Sequence, residues 1–212
     1  MKLVDSPTER TTGATDVILS AAASGAAVYL QLLPHGLSLR IGVWSCAFGL
    51  IAVSAACGAA YHGLVLAESA RKALWHVLTL CLGLAISLFL VAVCQDAGGT
   101  EAAQTALPIM LAAGVLIFGV SRMFPGLFIV FVLYEAMALL IAFAAYAWMA
   151  ASGILSGAGW LAAGILVSMI AAGIQTARRV QVSFVWEFDH NGMFHLVQTL
   201  GLILIGVGLS RG

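Results

Sequence analysis

Long apolar runs, each separated from the next by only a few polar residues, constrain the fold of this chain more than any other feature. Hydrophobic residues make up 62% of the sequence and charged residues only 8%, whereas about a quarter of the residues in a soluble domain are charged. Several of the runs reach the roughly 20 residues that a helix needs to cross the hydrocarbon core of a bilayer. The sequence therefore predicts an all-α integral membrane protein.

Charges, glycines and prolines divide the chain into seven predicted spans. Their approximate bounds are 15–33, 41–66, 73–95, 104–123, 126–150, 154–176 and 190–209. Because every connection is short, we expect one domain over residues 1–212, a seven-transmembrane helix bundle in which neighbours in sequence pack together. Small residues such as Gly157, Gly159 and Gly164 predict close contacts between helices.

The basic residues predict the orientation of the bundle. Seven of the nine lysines and arginines lie at the N-terminus or after the second, fourth and sixth spans: Lys2, Arg10, Arg71, Lys72, Arg122, Arg178 and Arg179. Basic residues concentrate on the cytoplasmic side, which predicts a cytoplasmic N-terminus and an outside C-terminus. The N-terminal segment lacks the layout of a cleaved signal peptide, so we expect the first helix to be retained. The net charge of zero argues against nucleic acid, and membrane lipids are the expected partners.

Four of the five histidines fall at the predicted cytoplasmic ends of spans. His62 lies near the inner end of the second span and His76 near the start of the third, while His190 and His195 open the seventh in "EFDHNGMFHLVQ". An imidazole inside a membrane span indicates a functional site by default, because it is rare there. We expect His35, in the first outer loop, to be solvated.

The histidines near the inner face are candidate metal ligands. A catalytic zinc site usually has three protein ligands and one open position, at which a water loses a proton near neutral pH. His62, His195 and one of His190 or His76 can form such a set, and the sequence leaves the choice of the third open. Zinc is therefore the expected cofactor.

The residues around His195 are candidates for further roles. Asn191 lies one turn before it on the same helix face, and either Asp189 or Asn191 can cap the start of the helix. Asp189 or Glu187 can orient a metal ligand or take a proton as a general base. These two acids are the predicted catalytic residues.

Two acids lie within the other spans. Glu135 is near the middle of the fifth span, where it either faces a polar cavity or stays neutral and bonded to another helix. Asp16 stands at the predicted start of the first span, which favours a helix cap and dipole partner over a site residue.

The stretches "SAACGAAYHG" and "DHNGMFHLVQ", together with seven spans, resemble the CREST superfamily. This superfamily includes alkaline ceramidases, the adiponectin and progestin receptors and haemolysin III-like bacterial proteins. The resemblance implies zinc held by one His of the second helix and two of the seventh, a nearby Ser and Asp, and hydrolysis of lipid amides. His62 matches the second-helix ligand, and His195 matches the later seventh-helix ligand. A divergent bacterial branch implies the inner membrane.

The chain departs from the family pattern at three positions. Asn191 occupies the earlier seventh-helix ligand position, and His190 is displaced from it by one residue. Gly58 occupies the position of the family Ser, while Ser54 lies two turns from the second-helix His. No Asp opens the third span, where His76 is the polar candidate.

These features favour a zinc-dependent membrane hydrolase of lipid amides or esters with a site on the cytoplasmic side. Together, His62, His76, His190 and His195 and the polar residues beside them form a polar layer on the predicted cytoplasmic side. The alternative is a non-catalytic seven-helix protein that binds lipid or metal, or uses this polar layer to fix helix packing. A third hypothesis is a small-solute or proton-coupled transporter, suggested by Glu135 and the histidines. A complete metal triad together with the Ser and Asp distinguishes the first hypothesis from the others, and the sequence has this set only in part.

Overall fold

The computed structural model of the chain describes residues 2–34, 38–177 and 179–212, so the expectation for His35 lies outside the described residues. Within these ranges, six helices are long and apolar enough to cross a membrane, as expected of an integral membrane protein. They are α1 (Pro7–Gln31), α2 (Leu39–Gly63), α3 (Glu68–Met123), α4 (Phe128–Ala151), α5 (Ala158–Ala177) and α6 (His190–Ser210). A 3-10 turn, Pro125–Leu127, precedes α4, and a short antiparallel hairpin of β1 (Val182–Ser183) and β2 (Glu187–Phe188) precedes α6.

Helix α3 contains the predicted third and fourth spans and the loop that was expected between them. Its 56 residues would extend about 84 Å as one straight helix, far more than the roughly 30 Å of a hydrocarbon core. Gly99 interrupts it with φ 77° and ψ −169°, dividing α3 into a first arm, 68–98, and a second arm, 100–123. The arms lie against each other, because a Cβ at Gly114 would be 3.0 Å from the carbonyl oxygen of Gly83.

The helices pack in chain order, and α1 also contacts α6, which closes the bundle. Helix α1 therefore lies between α2 and α6. Trp44, Phe89 and Tyr146 form a buried aromatic cluster between α2, α3 and α4, with the rings of Trp44 and Phe89 5.0 Å apart.

Glycines bring α5 and α6 into close contact. A Cβ at Gly164 would lie 2.7 Å from the carbonyl oxygen of Gly201, and one at Gly157 would overlap the carbonyl of Gly208. Gly157 also has φ 80°, a conformation that favours glycine. The close contacts predicted at Gly157 and Gly164 are confirmed, whereas the nearest atom to a Cβ at Gly159 would be 3.9 Å away.

Helix α1 begins about two turns before the predicted start at residue 15. Ser6 caps it by accepting a hydrogen bond from the N–H of Glu9, and Pro7 occupies the first turn, where its missing N–H costs nothing. Asp16 therefore lies well inside the helix, and its predicted role as a cap is wrong. Its side chain is buried instead.

Candidate functional site

A buried pair of side chains, Asp16 of α1 and His195 of α6, joins the two helices. Oδ1 of Asp16 lies 3.2 Å from Nε2 of His195, and the two side chains are only 4% and 8% exposed. On the other edge of the imidazole, Oγ1 of Thr15 lies 3.1 Å from Nδ1. Both nitrogens of the ring are thus engaged by consecutive residues of α1.

The hydrogen bonds of Thr15 determine which ring nitrogen carries a proton. Its hydroxyl donates to the carbonyl oxygen of Thr12 at 2.9 Å. Since a hydroxyl has one proton to donate, Nδ1 of His195 is the donor to Thr15. The remaining bond, between Nε2 and Asp16, then requires one further proton, carried by the imidazole or by the carboxyl.

The second oxygen of Asp16, Oδ2, is buried and has no hydrogen-bond partner among the described residues. Buried polar atoms are normally paired, because leaving one unpaired costs free energy. Oδ2 is therefore the one atom of the pair left to accept a proton or a ligand.

Gly58 of α2 makes room for the Asp16 carboxylate. A Cβ at Gly58 would lie 2.8 Å from both oxygens of Asp16. One turn further along, α1 and α2 are in contact, because a Cβ at Gly13 would lie 3.0 Å from the backbone of Gly63. The Asp16 carboxylate therefore occupies the space that a side chain at position 58 would need.

His62 near the end of α2 also binds α1. Its Nδ1 lies 2.7 Å from Oε2 of Glu9, and the side chains are 17% and 44% exposed respectively. A carboxylate on one ring nitrogen fixes the ring orientation and leaves the other nitrogen uncommitted, as is usual for metal-binding histidines.

Asp189 caps α6 and ties it to α1. Its Oδ1 accepts hydrogen bonds from the N–H of Gly192 at 2.9 Å and from Oγ1 of Thr12 at 3.0 Å. Partial burial acts to raise the pKa of Asp189, but these hydrogen bonds, with a contribution from His190, outweigh burial and lower the pKa below its ordinary value. The prediction that Asp189 serves as the N-cap is confirmed.

The other predicted site residues of this stretch lie around the start of α6. Glu187 is exposed on β2, His190 is the first residue of α6, and Asn191 follows it, with the last two half-buried. Gln198, at the end of the stretch, donates to Oγ of Ser168 at 3.1 Å and so binds α5. The polar residues of this segment thus contact two neighbouring helices.

Three further candidates face other parts of the bundle. Ser54 is buried and donates to the carbonyl oxygen of Leu78, so it faces α3 and not the Asp16–His195 pair. His76, half-buried in the first arm of α3, lines a cavity beside Trp75. Glu135 is half-buried in α4, next to Tyr134, whose hydroxyl pairs with Ser87.

The Asp16–His195 pair brings two possible zinc donors together, whereas a catalytic zinc site needs three. Among the residues that the structure describes, no three His, Cys, Asp or Glu side chains form a group that could hold a metal ion. Catalytic zinc sites use three protein ligands, and the contacts of His195 and Asp16 provide two. The arrangement described therefore lacks a complete zinc ligand set.

A second buried polar cluster lies toward the other end of the bundle. Nε of Arg40 is 2.6 Å from Oδ1 of Asp96, with exposures of 15% and 2%, and the hydroxyl of Tyr146 donates to Oδ2 at 2.9 Å. We did not predict this cluster from the sequence. The sequence did contain a signal: Arg40 and Asp96 each adjoin a predicted span, at ends that lie on the same predicted side of the membrane.

The described residues form a largely helical protein in which six helices are long and apolar enough to cross a membrane and are joined by buried polar contacts. The chain belongs to the family of unknown function DUF6962, whose model matches residues 11–212. The match includes Asp16, His62 and His195. No curated protein and no solved structure matches the chain significantly.

Proposed function

We propose that the protein is a membrane-embedded hydrolase of lipid amides or esters, with the Asp16–His195 pair as its acid–base centre. One observation carries the proposal: a buried carboxylate bonded to a buried imidazole keeps one oxygen, Oδ2, without a partner. Buried titratable pairs of this kind are typical of acid–base sites, because their environment makes proton exchange with a substrate favourable.

The proposal includes seven membrane crossings, with α3 crossing once on each arm. Seven crossings place Arg10, Arg71 and Arg122 on the same side as the polar layer. The surplus of basic residues then makes this side cytoplasmic, with the C-terminus outside. We propose the inner membrane of a bacterium as the location, on the resemblance alone.

In the proposed reaction, Oδ2 of Asp16 accepts a proton from a water molecule as the water oxygen bonds to the acyl carbon. The C–N or C–O bond then breaks, and the same proton passes to the departing amine or alcohol. The net reaction consumes one water and releases a fatty acid. His195 is a positioning residue in this scheme, because it holds the carboxyl group through Nε2 while Thr15 fixes the ring.

Zinc stays a prediction from the resemblance, and no step above uses it. Metal analysis of the purified wild type and of His195→Ala tests it directly. One zinc per chain in the wild type, lost in the variant, would show that zinc binding requires His195. Wild-type protein without zinc would remove zinc from the proposal and leave the acid–base pair as stated.

The decisive experiment measures hydrolysis of a fluorescent N-acyl lipid and of its ester counterpart by protein reconstituted in vesicles. We expect turnover in the wild type and a loss of about 10²- to 10⁴-fold in Asp16→Asn, which keeps the shape but not the base. Glu101→Gln, which removes an exposed acid of α3 that has no proposed role in the site, is the matched control and should retain activity. Equal activity in Asp16→Asn and Glu101→Gln would overturn the proposal.

The alternative is a non-catalytic role in which the polar layer fixes helix packing. It is favoured by a specific observation: two cavities among the described residues are lined by side chains other than Asp16 and His195. A packing role predicts that Asp16→Asn lowers the melting temperature while the wild type hydrolyses neither lipid.

A further inference from the structure

Two adjoining cavities lie between the end of α2, both ends of α3 and the start of α4. One has a volume of about 170 Å³ and is lined by His76, Arg122 and aromatic residues. The other has a volume of about 330 Å³ and is lined by Tyr61, Arg71 and Lys72 with one acid, Glu68. Trp75 and His76 line both, so the two cavities adjoin at these side chains, and together they are called the depression below.

The rim of this depression carries excess positive charge. Lys72 forms an ion pair with Glu68, which neutralises both. The ion pairs among the described residues involve neither Arg71 nor Arg122. Arg71 lies over the ring of Tyr61, 4.5 Å from its centroid, and this contact keeps the guanidinium at the cavity edge.

The wall of the depression is aromatic. The rings of Tyr61 and Trp75 are 5.8 Å apart, and those of Trp75 and Phe128 are 6.1 Å apart. The two aliphatic hydroxyls in the lining, Thr79 and Ser121, donate to backbone carbonyls of their own helix. Recognition of a ligand therefore depends mainly on the cationic groups and on the aromatic wall.

We propose that this depression, lined by Arg71, His76 and Arg122, binds the phosphate headgroup of an anionic membrane phospholipid. A guanidinium matches phosphate oxygens in charge and geometry, and aromatic side chains favour the depth at which headgroups meet acyl chains. Basic pockets between helix ends on the cytoplasmic side are a recurrent site for such lipids. This inference is independent of hydrolysis at Asp16, because it concerns binding alone.

The test is native mass spectrometry of the full chain in detergent with phosphatidylglycerol or with phosphatidylcholine. We expect the anionic lipid to be retained in preference, and Arg122→Gln to weaken its binding by about fivefold. Arg122→Lys should restore part of the binding, because it restores the charge. Arg179→Gln removes an exposed arginine that lines neither cavity, so it should bind like the wild type.

Two outcomes would overturn the inference. Equal binding of the two lipids, or equal loss in Arg122→Gln and Arg179→Gln, would show that the depression has no selectivity for the anionic headgroup. A competition with inorganic phosphate distinguishes the source of the phosphate: we expect no displacement of the lipid at millimolar phosphate. Displacement would assign the site to free phosphate instead. Melting curves of each variant confirm that it is folded.

Discussion

At the residue scale, the space above Gly58 is the most restrictive feature of the polar layer. A Cβ there would lie 2.8 Å from both carboxylate oxygens of Asp16, closer than unbonded heavy atoms approach. Asp16 is also held by His195, whose Nε2 lies 3.2 Å from Oδ1. A side chain at position 58 would therefore displace the carboxylate and disturb its contact with His195.

We expect Gly58→Ala to destabilise the protein by about 1–3 kcal/mol through overpacking. Gly49→Ala, in the same helix, is the matched control, because a Cβ there would have no atom within 4 Å. The control should be as stable as the wild type or up to about 1 kcal/mol more stable, since alanine favours helix. Thermal unfolding in detergent measures both, and equal melting temperatures would contradict the described contact.

Asp189 makes the stability of the α6 start depend on pH. Its pKa is lowered in the folded protein, so its ionised form stabilises the fold at pH above the ordinary value of 3.8. This contribution is lost as the pH falls through the lower pKa of the folded state. Asp189→Ala should cost about 0.5–2 kcal/mol at neutral pH and reduce the loss of stability on acidification.

Melting temperatures measured between pH 7 and pH 3 test the role of Asp189. Glu187→Ala removes an acid two residues away, on the exposed face of β2, and should follow the wild-type curve. If the melting temperatures of the wild type and of Asp189→Ala fall in parallel as the pH is lowered, the Asp189 carboxylate does not respond to acid as described.

The sequence allowed His195 and Asp189 to be singled out because polar groups at the edge of an apolar run are conspicuous. Asp16 was misassigned because the predicted first span begins at residue 15, immediately before it, whereas Ser6 and Pro7 begin the helix about two turns earlier. The partners of Asp16 depend on the rotation of α1 against α2 and α6. That rotation is set by contacts such as Gly13 on Gly63, which no local pattern shows.

At the scale of elements, Gly99 decides how α3 is arranged. Its φ of 77° with ψ −169° lies in a region that is essentially restricted to glycine. The sequence predicted a loop over 96–103, but the segment contains good helix formers such as Glu101, Ala102 and Ala103, and helix continues on both sides of the glycine. A hydropathy pattern detects the polar segment but not the single residue at which the chain reverses.

We expect Gly99→Ala to destabilise the protein by about 1–3 kcal/mol, because alanine is strained in this conformation. Gly119→Ala on the second arm is the control, since a Cβ there would have no atom within 4 Å. Chemical or thermal unfolding compares the two variants. A Gly99→Ala protein as stable as the control would mean that the chain turns elsewhere.

At the scale of the whole molecule, the number of crossings decides where the two ends of the chain lie. With α3 crossing on each arm, the ends lie on opposite sides of the membrane. We expect a C-terminal alkaline phosphatase fusion to be active and a C-terminal green fluorescent protein fusion to be dark, as for an outside C-terminus. The reverse result would place the C-terminus in the cytoplasm, and it would remove the orientation on which the cytoplasmic site depends.

The contact of α1 with α6 has a consequence for biogenesis. Thr15 and His195 are 180 residues apart, so a ribosome adding roughly 5–20 residues per second needs about 10–40 s to deliver the imidazole after the threonine. Throughout that interval Asp16 is in a nascent chain without its partner. Correct insertion therefore ends with the last helix docking on the first, and a truncated translation product would present an uncompensated acid to the quality-control proteases of the membrane.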